Sequence, residues 1–141
     1  MDSNFLFVRI CNSEGVGSLM EKILLAILIH FVADFVLQSR AMGKGKSNNI
    51  WWLLAHLAIQ YGAFFYFFGH TFAIANAIVH GIIDWNIWKL YKWSVKLRNP
   101  RMTIEDAQDY RYWDDHLFYT TIGLDQMLHM GTLIILLEVL R

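Results

Sequence analysis

Cysteine, proline and charge are all scarce in this chain of 141 residues. Its single cysteine, Cys11, excludes an intramolecular disulfide and a cysteine-based zinc cluster. Its single proline, Pro100, leaves little of the chain as obligate turn. Only 17% of residues are charged, and 12 basic residues balance 12 acidic ones, so no basic excess points to nucleic acid as a partner. There is no nucleophile-elbow serine motif, phosphate-cradling glycine loop or CxxC pair, which removes the commoner enzyme classes. What the chain has in abundance is apolar surface. It is 56% hydrophobic and 16% aromatic, too apolar for an ordinary soluble domain of this size.

That apolar content is gathered into four segments, at about 19–38, 50–68, 71–90 and 117–140. A helix crosses the hydrocarbon core of a bilayer in about 20 residues, and each segment is long enough. Backbone in lipid must satisfy its own hydrogen bonds, so the segments are expected to be helices. The expected fold is all-α, a polytopic bundle of four transmembrane helices over residues 19–141. Residues 1–18 form an N-terminal extension without the positive n-region of a signal peptide. Residues 39–49 read as a polar, glycine-containing turn, and Gly69-His70 as the minimal link of a tight helical hairpin. Within the polar segment 91–116, Thr103-Ile-Glu-Asp106 reads as the start of a short cytoplasmic surface helix running to about Trp113.

The charges orient the bundle. Arg40, Lys44, Lys46, Lys89, Lys92, Lys96, Arg98, Arg101 and Arg111 fall on one side, against Arg9, Lys22 and Arg141 on the other. The positive-inside rule makes the first side cytoplasmic and places both termini outside the cytoplasm. All six tryptophans also fall near the cytoplasmic side, as an interfacial belt.

Each apolar segment carries one polar stripe. Residues four apart share a helix face, which aligns His30, Asp34 and Gln38; His56 and Gln60; Asn76, His80 and Asp84; and Thr121, Asp125 and His129. Ionisable groups in hydrocarbon are costly and mark a functional site by default. At about 1.5 Å rise per residue, the acids and imidazoles of all four segments occupy one band in the cytoplasmic half. Seven donors, His30, Asp34, His56, His80, Asp84, Asp125 and His129, exceed the needs of one divalent ion and suit one or two, with a bridging aspartate in the second case. Zinc, manganese or iron fits this nitrogen and oxygen set. Neighbouring Asn, Gln and Thr side chains are candidates to orient the ligands. His70 and His116 fall at the membrane edges, outside this seam. The stripe Ala73, Ala77 and Gly81 reads as a close helix-packing surface, and the run Phe64 to Phe68 as lipid-facing or packing surface.

The segments His30-Phe-Val-Ala-Asp-Phe-Val-Leu-Gln38, the His56 helix, His80-Gly-Ile-Ile-Asp84 and Asp125-Gln-Met-Leu-His129 together resemble the domain of unknown function 3307 family, small membrane proteins of bacteria and their phages. The similarity covers roughly residues 20–140 and marks the same seven residues. The pattern is also similar to that of membrane-bound metal-dependent hydrolases. It implies a hydrolase with a His/Asp centre opening to the cytoplasmic leaflet, with Asp34 or Asp84 as general base and a lipid or lipid-linked phosphate ester as substrate. Lys89, Lys92 and Arg111 are candidates to hold the phosphate, beside their simpler role as positive-inside anchors. The alternatives are a divalent-ion or proton transporter, which at this size requires a homo-oligomer, and a non-catalytic phage membrane factor with a structural metal.

Overall fold

A computed structural model describes residues 16–98 and 116–140. The described residues form helices and turns without a strand. Helix α1 spans Val16–Phe31 and continues as a π-helical stretch, Val32–Val36; α2 spans Arg40–Gly45, α3 Ile50–Phe68, α4 His70–Arg98 and α5 His116–Val139. The expected surface helix at about 103–113 lies outside the described residues.

Local sequence explains the boundaries. Ser39 Oγ accepts the Met42 N–H at 3.2 Å and starts α2, and Asn49 Oδ1 accepts the Trp51 N–H at 2.9 Å and starts α3. Such caps satisfy amide groups that a helix start leaves unbonded. Gly69 ends α3 at φ 82°, a conformation that favours glycine, and its carbonyl accepts from Ala73 N in the first turn of α4. The α3–α4 pair is therefore the tight hairpin expected from Gly69-His70.

Three boundaries differ from the sequence expectation. The first helix starts earlier, at Val16, and changes hydrogen-bond pattern after Phe31, with Leu37 N–H bonded to Val32 O. The segment 39–49 is more than a polar turn: it contains α2, and it buries Met42, Lys46 and Ser47. Helix α4 extends eight residues beyond Leu90, because Trp88, Tyr91 and Val95 continue an apolar stripe that packs against Leu117 and Phe118 of α5.

Helices α3 and α5 are long and apolar enough to cross a membrane by length and composition. The regular α-helical run of α1 is 16 residues, below the ~20 that a span needs. Helix α4 has ample length, but His70, Asn76, His80, Asp84 and Asn86 interrupt its apolar sequence. The polar groups of the seam are thus what lowers its hydrophobicity.

The interior is layered. Ring contacts across the hairpin pair His56 with His80 at 5.0 Å and Phe64 with Phe72 at 5.6 Å between centroids. Gln60 and Asn76, both buried, occupy the turn between those two layers. Phe64 and Phe72 join Ala26, Ile29, Ala73, Leu133 and Leu137 in one apolar cluster. Gly81 of α4 packs against α3: an added Cβ would lie 2.8 Å from Leu57 Cδ1. With Ala73 fully buried, this agrees with a close-packing role for the small-residue stripe. The aromatic run divides, with Phe64 in the core and Phe65 and Tyr66 exposed.

Candidate metal centre

The helical spacing of the sequence brings the polar stripes of all the long helices face to face. His30, Asp34, His56, His80, Asp84, Asp125 and His129 are all buried, none more than 6% exposed. Helix α3 contributes His56, α4 contributes His80 and Asp84 one turn apart, and α5 contributes Asp125 and His129 in the same relation. Asp34 comes from the π-helical stretch. Such wider turns recur at functional sites, because they re-aim a side chain within an otherwise regular helix.

Four donors form the tightest set: Asp34, His56, His80 and Asp84. His56 Nε2 is 3.0 Å from Asp34 Oδ1, 3.3 Å from Asp84 Oδ2 and 2.9 Å from His80 Nε2. His80 Nε2 is 3.2 Å from Asp84 Oδ2 and 3.7 Å from Asp34 Oδ1. Metal–donor bonds of about 2.0–2.1 Å in a tetrahedron put neighbouring donors about 3.3 Å apart. The donor spacing of this set centres on that value, so the residues fit a zinc-sized divalent ion.

A second set shares Asp84. His129 Nε2 is 3.6 Å from Asp84 Oδ1 and 3.4 Å from Asp125 Oδ1. Asp84 thus turns one oxygen to each set, as a bridging carboxylate would. Asp125 Oδ1 and His129 Nε2 are buried without a hydrogen bond, which leaves both available to a cation. His30 belongs to neither set. Its ring lies 5.3 Å from His80 and 5.1 Å from His129 between centroids, with both nitrogens unbonded.

Two residues enter the centre that sequence reasoning did not assign to it. Lys46, expected as a cytoplasmic anchor, is buried, with Nζ 2.8 Å from Asp84 Oδ1 and 3.2 Å from Asp34 Oδ1. Burial opposes its charge, but the Asp84 and Asp34 carboxylates outweigh that, and the ammonium is held above the ordinary lysine pKa. Gln126 Nε2 donates to Asp34 Oδ2 at 3.4 Å and to Asp125 Oδ2 at 3.2 Å, tying α5 to the end of α1. Position gives a partial signal for Gln126, which adjoins Asp125. Nothing in Lys44-Gly-Lys46 separates the buried lysine from its exposed neighbour.

Of the expected phosphate-binding cations, neither of the two within the described residues is at this centre. Lys89 Nζ lies 3.7 Å over the Trp85 ring, Lys92 Nζ donates to the Asn48 side-chain oxygen, and Arg111 lies outside the described residues. His70 bonds the Tyr61 hydroxyl at 2.8 Å and His116 contacts Thr120, both away from the cluster.

No curated protein and no solved structure matches the chain. The family described as protein of unknown function (DUF3307) matches residues 23–141, from within α1 through α5. That description names no activity, so any chemistry has to be argued from the centre itself. With the match covering every residue of the His/Asp cluster, the chain belongs to the DUF3307 family.

Proposed function

We propose that this protein is a four-span membrane hydrolase whose buried His/Asp centre holds a divalent ion. The observation that carries the reading is the convergence of Asp34, His56, His80 and Asp84, from three separate segments, on one coordination-sized volume inside an apolar chain. The Lys46 ammonium offsets only one of the three carboxylates, and the excess negative charge at low dielectric would cost several kcal/mol without a further cation.

Membrane insertion is supported by an inside-out distribution of side chains. Among the described residues, twelve buried side chains are polar or charged against thirteen that are hydrophobic, while Leu24, Leu28, Phe35, Leu54, Ile78, Ile82, Met127 and Ile135 are exposed. Water would reward the opposite arrangement, and lipid rewards this one. At about 43 Å, the 29-residue α4 exceeds the hydrocarbon core, so its basic C-terminal end reaches the cytoplasmic interface.

A divalent ion in this position would polarise a scissile ester and supply a nucleophilic water at neutral pH. His56, His80 and Asp84 would hold it, a three-ligand set of the kind catalytic zinc sites use. Asp34 is the general base: its Oδ2 is oriented by Gln126 and its Oδ1 faces the ligand cluster. Beyond the cluster, Phe64, Phe72 and Leu133 close the non-cytoplasmic half. An apolar layer next to the centre favours hydrolysis of a lipid or lipid-linked phosphate ester over passage of an ion.

The test is purification in detergent, elemental analysis, and an assay of metal-loaded protein on a panel of lipid phosphates. Asp84→Ala is expected to lose the bound metal. Asp34→Asn is expected to retain metal and to lose turnover by about 10²–10⁴-fold. Metal-loaded protein without turnover on any phosphate ester would leave the ion a structural role, and metal-free folded protein would end the reading.

A further inference from the structure

Lysine is almost never fully buried unless paired. Lys46 does more than pair. Its ammonium contacts Asp34 Oδ1, a donor of the first set, and Asp84 Oδ1, the oxygen that Asp84 turns toward His129 and the second set. It therefore stands beside the second cation position, on a side chain 5% exposed.

Charge counting gives this placement its meaning. The buried centre has three carboxylates, Asp34, Asp84 and Asp125, and imidazoles that are neutral when they ligate. One divalent ion together with one ammonium already balances three carboxylates, before any charge on His129 is counted. Two divalent ions together with the ammonium would leave two uncompensated positive charges in an apolar interior, which is strongly unfavourable.

We infer that Lys46 serves as the second cation of the centre, so that the protein binds one divalent ion, held by His56, His80 and Asp84 beside Asp34, with the Lys46 ammonium in place of another. The inference rests on the metal-centre reading above. It replaces the one-or-two-ion expectation with a definite stoichiometry and gives the second donor set, Asp84, Asp125 and His129, an internal counter-charge. It also assigns the ammonium a role toward substrate. Lysine has three N–H donors, and two face carboxylates. The third is available to an anionic oxygen of the bound ester, where it would stabilise charge that develops during attack.

The experiment counts zinc ions. Wild-type protein, Lys46→Met and Lys46→Arg are purified in detergent, loaded with Zn²⁺ alone, freed of excess ion and analysed for zinc per chain, with helix content checked by circular dichroism. One zinc per chain is expected in the wild type and in Lys46→Arg, and two in Lys46→Met. Two in the wild type, or one in a folded Lys46→Met, would overturn the inference while leaving the metal centre standing. Zinc-free wild type would overturn both. Should Lys46→Met not fold, Asp125→Asn decides: retention of one zinc agrees with the inference, and its loss places the ion in the second set and overturns it.

Discussion

His56 Nε2 and His80 Nε2 lie 2.9 Å apart across the α3–α4 hairpin, the shortest separation between ligand-capable nitrogens in the centre. At the next residue of each helix, Gly81 meets Leu57, where an added Cβ would lie 2.8 Å from Leu57 Cδ1. The Gly81–Leu57 contact therefore packs the hairpin directly beside the two imidazoles.

A larger residue at position 81 should then cost both stability and metal. Gly81→Val is expected to destabilise the fold by about 1–3 kcal/mol through overpacking, and to weaken zinc binding by separating His56 from His80. Denaturation in detergent and a chelator-competition titration measure the two effects. Leu57→Ala in the same chain should recover part of each, since it removes the side chain that an added Cβ would meet. Recovery of neither would separate the hairpin spacing from the centre.

Gln126 offers a test of the supporting shell. Its one amide nitrogen donates to Asp34 and Asp125, and outer-shell partners of this kind typically hold 10–100-fold of metal affinity. Gln126→Leu should lower zinc affinity by about that factor while the number of ions per chain stays unchanged. Competition against a chromophoric chelator reads the affinity and elemental analysis the count. Unchanged affinity would mean that the aspartates are held by other contacts.

The arrangement in the bilayer can be read by labelling. Cys11 is the only native cysteine, so a Cys11→Ser background accepts single reporters. Lys44→Cys should react with a membrane-impermeant maleimide only from the cytoplasmic face, and His70→Cys only from the opposite face. Both positions are exposed in the fold. Labelling of both from one side would contradict spanning by α3.

Much of this architecture was legible from periodicity alone. The recurrence of His and Asp four residues apart identified three helix faces, and the His56 stripe a fourth, because intramembrane polar groups are few and stand out against an apolar background. Gly69 announced the hairpin. The remainder depended on information that periodicity does not carry. Lys46 is one of two lysines in a turn, and only the docking of α2, where Gly45 packs so tightly on Trp52 that an added Cβ would lie 2.5 Å from Cδ1, turns it inward. The extension of α4 beyond Leu90 was masked by its lysines and arginine, which sit on the faces that Tyr91 and Val95 leave free. The change of helix type at Val32–Val36 has no compositional sign at all, since Val-Ala-Asp-Phe-Val fits an α-helix equally well.

That last stretch has a consequence for how the molecule tolerates change. A one-residue slip in helical register rotates everything downstream by about 100°. Rewinding Val32–Val36 into ordinary α-helix would swing Asp34 out of reach of its partners while leaving the composition of the chain intact. A substitution that favours the narrower turn is therefore a phase error, nearly silent in hydrophobicity and volume, that would take a carboxylate away from the cluster without unfolding the helix.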